Sequence, residues 1–82
     1  MTLTFRLNYD SANPLDFMMK VADLFPLLAG QKVIASGFPN ADRMSDVAET
    51  LRFEADIEYP GCRHHFYEDS RNRRVVISGG RK

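Results

Sequence analysis

Leu3, Phe5, Leu7 and Tyr9 alternate with Thr4, Arg6 and Asn8, which commits the start of the chain to a strand with one wet and one buried side. A strand of this kind needs a second layer to bury its apolar side, and the following residues supply one. Asp10 to Asn13 break the alternation, Asn13 is a good helix cap, Pro14 suits the first helical position, and Asp16 favours the positive end of the helix dipole. The helix this predicts carries Asp16, Lys20 and Asp23 on a polar stripe and Leu15, Met18, Met19, Ala22 and Phe25 on its apolar side. Pro26 stops it near Phe25, and Gly30 closes the connection.

Residues 32–36 read as a second strand whose nearly continuous apolar middle suits a central position. A second helix starts at about Asn40 or Asp42, with Met44, Val47, Ala48 and Leu51 inward and Asp42, Asp46 and Glu49 outward. The remainder reads as a meander. Phe53, Ala55, Ile57 and Tyr59 alternate with Glu54, Asp56 and Glu58, Pro60-Gly61 turns the chain, and strands over 62–68 and 73–78 follow. A tight first turn places Glu58 opposite Arg63, Asp56 opposite His65 and Ile57 opposite His64. A second loop over 69–72 places Tyr67 opposite Arg74, Phe66 opposite Val75 and His64 opposite Ile77. In both registers Phe53, Ala55, Ile57, His64, Phe66, Val75 and Ile77 look inward, while His65 and Tyr67 look out.

The expected fold is α+β, a two-layer sandwich in the order β-α-β-α-β-β-β, with a mixed sheet carrying two helices on one face. The 82 residues allow one domain, residues 1–82, whose core leaves little room for a deep private cavity. The composition, 44% apolar and 27% charged, is that of a globular chain rather than a disordered one. No spanning helix and no signal-peptide block are visible, and Cys62 has no partner for a disulfide. A cytoplasmic protein without membrane contact is therefore expected.

Eleven basic and eleven acidic residues cancel, so no overall field attracts nucleic acid. The charges are nevertheless segregated: residues 42–58 hold six acids and two bases, and residues 60–82 hold six bases and two acids. Cys62, His64 and His65 are the only clustered metal-type ligands, and adjacent strand residues point to opposite faces, so no metal or cofactor is expected. His65 beside Asp56 fits an ion pair better than a general base. No phosphate loop or nucleophile elbow is present. Gly79-Gly80 reads as a flexible tail, although ubiquitin-like sulfur carriers also end in two glycines.

The segment from Gly61 to Tyr67, with its preceding helix and strand, resembles the α-β-β-β core of HicA-type mRNA interferases over roughly residues 42–78. Those proteins carry Gly-Ser-His in a strand, and the resemblance implies ribonuclease chemistry at His64 or His65, with a Gly-to-His spacing longer here by one residue. The β-α-β-α opening also resembles TusA-type sulfur carriers and the C-terminal domain of bacterial initiation factor three. The Cys-Pro-x-Pro signature of the former is replaced here by Ser11-Ala12-Asn13-Pro14.

The expected function is that of a small non-enzymatic protein-binding module, a regulator or inhibitor of a larger assembly, of which phage anti-defence or host-takeover proteins are one type. Arg6, Arg63, His65, Tyr67 and Arg74 on the open sheet face, and Asp42, Asp46 and Glu49 on a helix, are the candidate binding residues. The alternative is an RNA- or single-stranded-DNA-binding protein that stacks bases on Tyr67 between Arg63 and Arg74. An exposed edge strand also offers pairing to a second copy, as a homodimer.

Overall fold

The computed structural model describes residues 4–27, 31–61 and 63–80. Strand β1 (Thr4–Asn8) leads into helix α1 (Pro14–Leu24), a short 3-10 turn (Phe25–Leu27) and strand β2 (Lys32–Ser36). Helix α2 (Ala41–Glu58) and the hairpin of β3 (Arg63–Asp69) and β4 (Arg74–Gly80) complete the fold. The four strands form one mixed sheet in the order β1-β2-β4-β3, with β1 and β2 parallel and the other pairings antiparallel.

Both helices start where their caps dictate. The Asn13 side chain accepts from the Asp16 N–H at 3.4 Å, and Asn40 accepts from the Arg43 N–H at 2.8 Å. Each satisfies an amide that the first turn leaves without an intrahelical partner. Pro26 ends α1 as expected, the chain tightening into the 3-10 turn rather than continuing.

Register assigns every strand residue to a layer. Phe5, Val33, Ile77 and Phe66 form one row across the sheet, and Leu7, Ala35 and Val75 lie in the next row of the same side. These join Phe17, Val21 and Phe25 from the α1 segment and Met44, Val47, Ala48, Leu51 and Ala55 from α2 in one apolar cluster. Both helices therefore cover the same face of the sheet, and the architecture is the expected two-layer α+β sandwich. No helix among the described residues is long and apolar enough to cross a membrane.

Two aromatic groups fasten the ends of this core. At one end Tyr9 stacks on Phe38 at 5.0 Å, and Phe17 meets both rings edge-on at 5.3 and 6.0 Å. Gly37, with φ of 83°, makes the left-handed turn that carries Phe38 back onto this group. At the other end Phe25 gathers Tyr59, His64 and Phe66 at 5.1 to 6.3 Å, and the Arg52 guanidinium lies 5.4 Å from the Phe66 ring.

The structure corrects four sequence expectations. First, the strand expected over 53–59 does not exist, because α2 continues to Glu58. Nothing between Ala41 and Tyr59 breaks a helix, and Ala48, Leu51 and Ala55 extend the helical spacing through the region where Phe53, Ala55 and Ile57 mimic a strand. The pairings of Glu58, Asp56 and Ile57 with 63–65 fall with it.

Second, the hairpin register is displaced by two residues. Phe66 faces Ile77, His65 faces Ser78, and Asp69 faces Arg74 across a loop of residues 70–73. A slip of two preserves the side each residue occupies, so Phe66 still looks inward and His65 and Tyr67 outward. Third, the apolar side of α1 is rotated: Phe17 and Val21 are buried, while Leu15 and Met19 are exposed. Fourth, Gly79-Gly80 belongs to β4 rather than to a tail, and the Gly79 N–H donates to the Gln31 carbonyl at 3.2 Å. Gly30, Cys62 and residues 81–82 lie outside the described residues.

Candidate functional site

The sheet face away from the helices is the surface on which most of the expected sheet residues meet. Arg6, Ile34, Val76 and Tyr67 align in one row across β1, β2, β4 and β3, and Thr4, Lys32, Ser78 and His65 form the neighbouring row. With strands about 4.8 Å apart, Arg6 and Tyr67 stand roughly 14 Å from one another at opposite margins. Between them Ile34 and Val76 make a half-buried apolar centre, and Tyr67 extends it, 64% exposed. Arg6, Lys32 and His65 are exposed around it.

Arg74 belongs to this face but is held by the sheet itself. Its Nε donates to Asp69 Oδ2 at 3.2 Å, and the same oxygen accepts from Asn72 Nδ2 at 2.9 Å. The Arg63 backbone pairs with Gly80 at the far end of the hairpin, and its side chain lies outside those described. Arg6 and Lys32, by contrast, enter no ion pair among the described residues. The open face is thus basic at the β1–β2 side and internally neutralised at the hairpin loop.

The Asp69 network gives that loop a pH dependence. The Asn72 side-chain bond does most to pull the Asp69 carboxyl below its ordinary value of 3.8; desolvation opposes it, and the Asn72 N–H and the nearby Arg74 cation add to the lowering. A carboxyl lowered on folding stabilises the native state above its unfolded pKa, and loses that effect as pH falls through the folded value. Thermal melts of wild type and Asp69→Asn are therefore expected to differ by a constant amount above about pH 5 and to converge as pH falls below the ordinary carboxylate range. A gap that persists unchanged in acid would assign the role of Asp69 to something other than its charge.

The two histidines do not act together. His64 lies on the core side, its Nε2 3.3 Å from the Phe25 carbonyl, and it ties β3 to the end of α1. His65 lies on the open face. Asp56 sits on exposed α2, so the expected His65–Asp56 pair is replaced by a row neighbour, Ser78. Glu68 and Arg73 each bond elsewhere: Glu68 Oε1 accepts from Ser45 Oγ at 2.7 Å, and Arg73 Nη1 donates to the Pro39 carbonyl at 2.9 Å. Among the described residues no three His, Cys, Asp or Glu side chains are grouped as metal ligands.

Asp42, Asp46 and Glu49 project from α2 on the side opposite its buried residues, all exposed. Periodicity adds Phe53 and Ile57 to this stripe, 67% and 62% exposed, which the strand expectation had placed in the core. Lys32, Ile34 and Val76 are the other functional candidates that sequence reasoning missed. Their signal was weak because 33–35 and 75–77 are continuous apolar runs, in which only the flanking Lys32, Ser36, Arg74 and Ser78 betray the wet side.

A cleft of about 530 Å³ opens beside β1 and the first half of α1, lined by Arg6, Asn8, Asp10, Asp16, Phe17 and Lys20 among others. Its charges are largely engaged locally. Lys20 pairs with Asp16 at 3.2 Å, and Asp10 Oδ1 accepts from the Ala12 N–H at 2.9 Å. Along the same margin β1 is an edge of the sheet, with no partner on its outer side among the described residues. The Tyr9 N–H donates to Ser36 at 2.7 Å, so odd-numbered residues turn their backbone groups to β2 and those of Thr4, Arg6 and Asn8 point outward.

Set against protein-family models, curated proteins and solved structures, the chain has no match in any of the three.

Proposed function

We propose that this protein is a non-enzymatic binding module that docks on a protein partner through its open sheet face, as a regulator or inhibitor of a larger assembly. One observation carries the reading. Ile34, Val76 and Tyr67 form an apolar centre, rimmed by Arg6, Lys32, His65 and Arg74, on a face that no described element of the chain covers. An apolar centre with a polar, chargeable rim is the anatomy of a protein interface, and Tyr and Arg are the side chains that most often anchor one. Rim charges such as Arg6 and Lys32 act mainly on approach and orientation. A phage-encoded anti-defence or host-takeover protein, acting in the cytoplasm, is one instance of this class.

The same face supports the alternative of single-stranded RNA or DNA less well. Tyr67 is one stacking platform, and Arg74, expected to clamp a phosphate beside it, is engaged with Asp69. Ribonuclease chemistry shared between His64 and His65 has still less support, because the two rings lie on opposite sides of the sheet.

The test starts from the tagged protein and a cell lysate, followed by titration of whichever partner is retained. Tyr67→Ala is expected to weaken that complex about thirtyfold, the cost of removing a central aromatic anchor, with the melting temperature unchanged. Equal affinity of wild type and Tyr67→Ala would remove the open face from the contact. Retention of RNA instead, with an affinity that falls steeply with salt, would move the face to the nucleic-acid reading.

A further inference from the structure

We propose that a second copy of this chain covers the open sheet face, seating the outer side of its α2 against it. The inference goes beyond the docking reading, since it requires no foreign partner and stands if none is found.

The two surfaces are complementary in charge and in the placing of apolar groups. On α2, Phe53 and Ile57 lie one turn apart on the outer side, and Asp46 and Glu49 precede them on the same side. No cation of α2 interrupts this stripe. Its two arginines are turned aside, Arg43 donating to the Tyr9 hydroxyl at 3.0 Å and Arg52 lying over Phe66. On the sheet, Ile34 and Val76 are paired neighbours, with Arg6 beside Ile34 and Lys32 two residues before it. Glu49 stands about 6 Å along the helix from Phe53, and Arg6 about 5 Å across the sheet from Ile34. A helix laid with Phe53 on the Ile34–Val76 centre therefore brings Asp46 and Glu49 within reach of Arg6 and Lys32.

The direction of the two surfaces decides the kind of assembly. The helices cover one side of the sheet, so the outer side of α2 and the open face look away from each other. A copy that receives a helix on its sheet still presents its own α2, and the contact propagates as a chain or ring rather than closing as a two-fold dimer. One helix on one small sheet buries less than the roughly 800 Å² per partner of a standard interface, so the association is weak and needs high concentration.

Sedimentation velocity over about a hundredfold range of concentration tests this by mass action. The wild-type mass is expected to rise past that of a dimer at low salt. Association should weaken at least tenfold between about 10 mM and about 1 M salt, where the screening length falls from about 30 Å to about 3 Å. Arg6→Glu with Lys32→Glu makes both surfaces acidic, and Asp46→Lys with Glu49→Lys makes both basic. Each pair of changes should leave a folded monomer. Combining all four in one chain restores opposite signs and should restore the assembly, with circular dichroism showing the fold intact. A wild type that stays monomeric, a half-changed variant that still associates, association indifferent to salt, or a folded combined variant that remains monomeric would each overturn the proposal.

Discussion

Leu51→Ala is expected to remove about 3–5 kcal/mol of stability, while Phe53→Ala, two residues later, changes it by less than about 0.5 kcal/mol. Leu51 is 1% exposed at the centre of the α2–sheet contact, and Phe53 is 67% exposed on the opposite side of the helix. Deleting the buried side chain loses its transfer free energy and leaves a cavity, because Met44, Ala48 and Ile77 are held by the backbones of α2 and β4 and collapse only in part. At roughly 0.05–0.15 kcal/mol per residue, a chain of 82 residues holds about 4–12 kcal/mol, so the Leu51 change takes a large part of the total. Urea unfolding followed by circular dichroism measures both variants. The contrast also separates helix from strand over these residues: a strand from Phe53 onward with Phe53 inward would leave Leu51 buried and make both losses large, and a large loss at Phe53 would overturn the α2 boundary.

A loss of similar size is expected at the other end of the core. Phe17→Ala should cost about 3–5 kcal/mol, as for other buried aromatics. Phe17 is 3% exposed and meets both Tyr9 and Phe38 edge-on, so its ring locks α1 to the end of β1 and to the turn after β2. Removing it leaves the stacked Tyr9–Phe38 pair without a lid and opens the cleft beside β1 into the core. Leu15→Ala, on the exposed side of the same helix, is the control, with an expected change within about 0.5 kcal/mol. A larger loss from Leu15→Ala than from Phe17→Ala would show that α1 packs on its Leu15–Met19 side, as its sequence pattern first suggests.

Both contrasts concern helical faces, where the sequence was least legible. In α1 the apolar residues are too many for one side: Leu15, Phe17, Met18, Met19, Val21 and Ala22 leave two ways to face the sheet. Burial of Phe17 and Val21 wins because those two positions, with Phe25, reach Tyr9, Phe38 and Phe66. In the second half of α2, period-2 and helical spacing coexist on the same residues, and local pattern cannot choose between them. The candidate site fared differently along the chain. Arg6, His65, Tyr67 and Arg74 share the open face as their strand parity implies, yet the partners assigned to the charges were mostly wrong. Ion pairs depend on which elements become neighbours, and the missing strand removed one of the two neighbours expected for β3 while β4 stayed in place with a shifted register.

Strand parity, the asparagine caps at Asn13 and Asn40, and the stop at Pro26 are properties of a few consecutive residues, and the sequence alone determined them. Backbone geometry imposes them whatever the rest of the chain does. The insertion of β4 between β2 and β3, the rotation of α1 and the exposure of Phe53 and Ile57 were decided only by tertiary structure. They follow from competition among apolar surfaces for one small core, in which the arrangement that buries most without leaving a polar group unpaired prevails over local pattern.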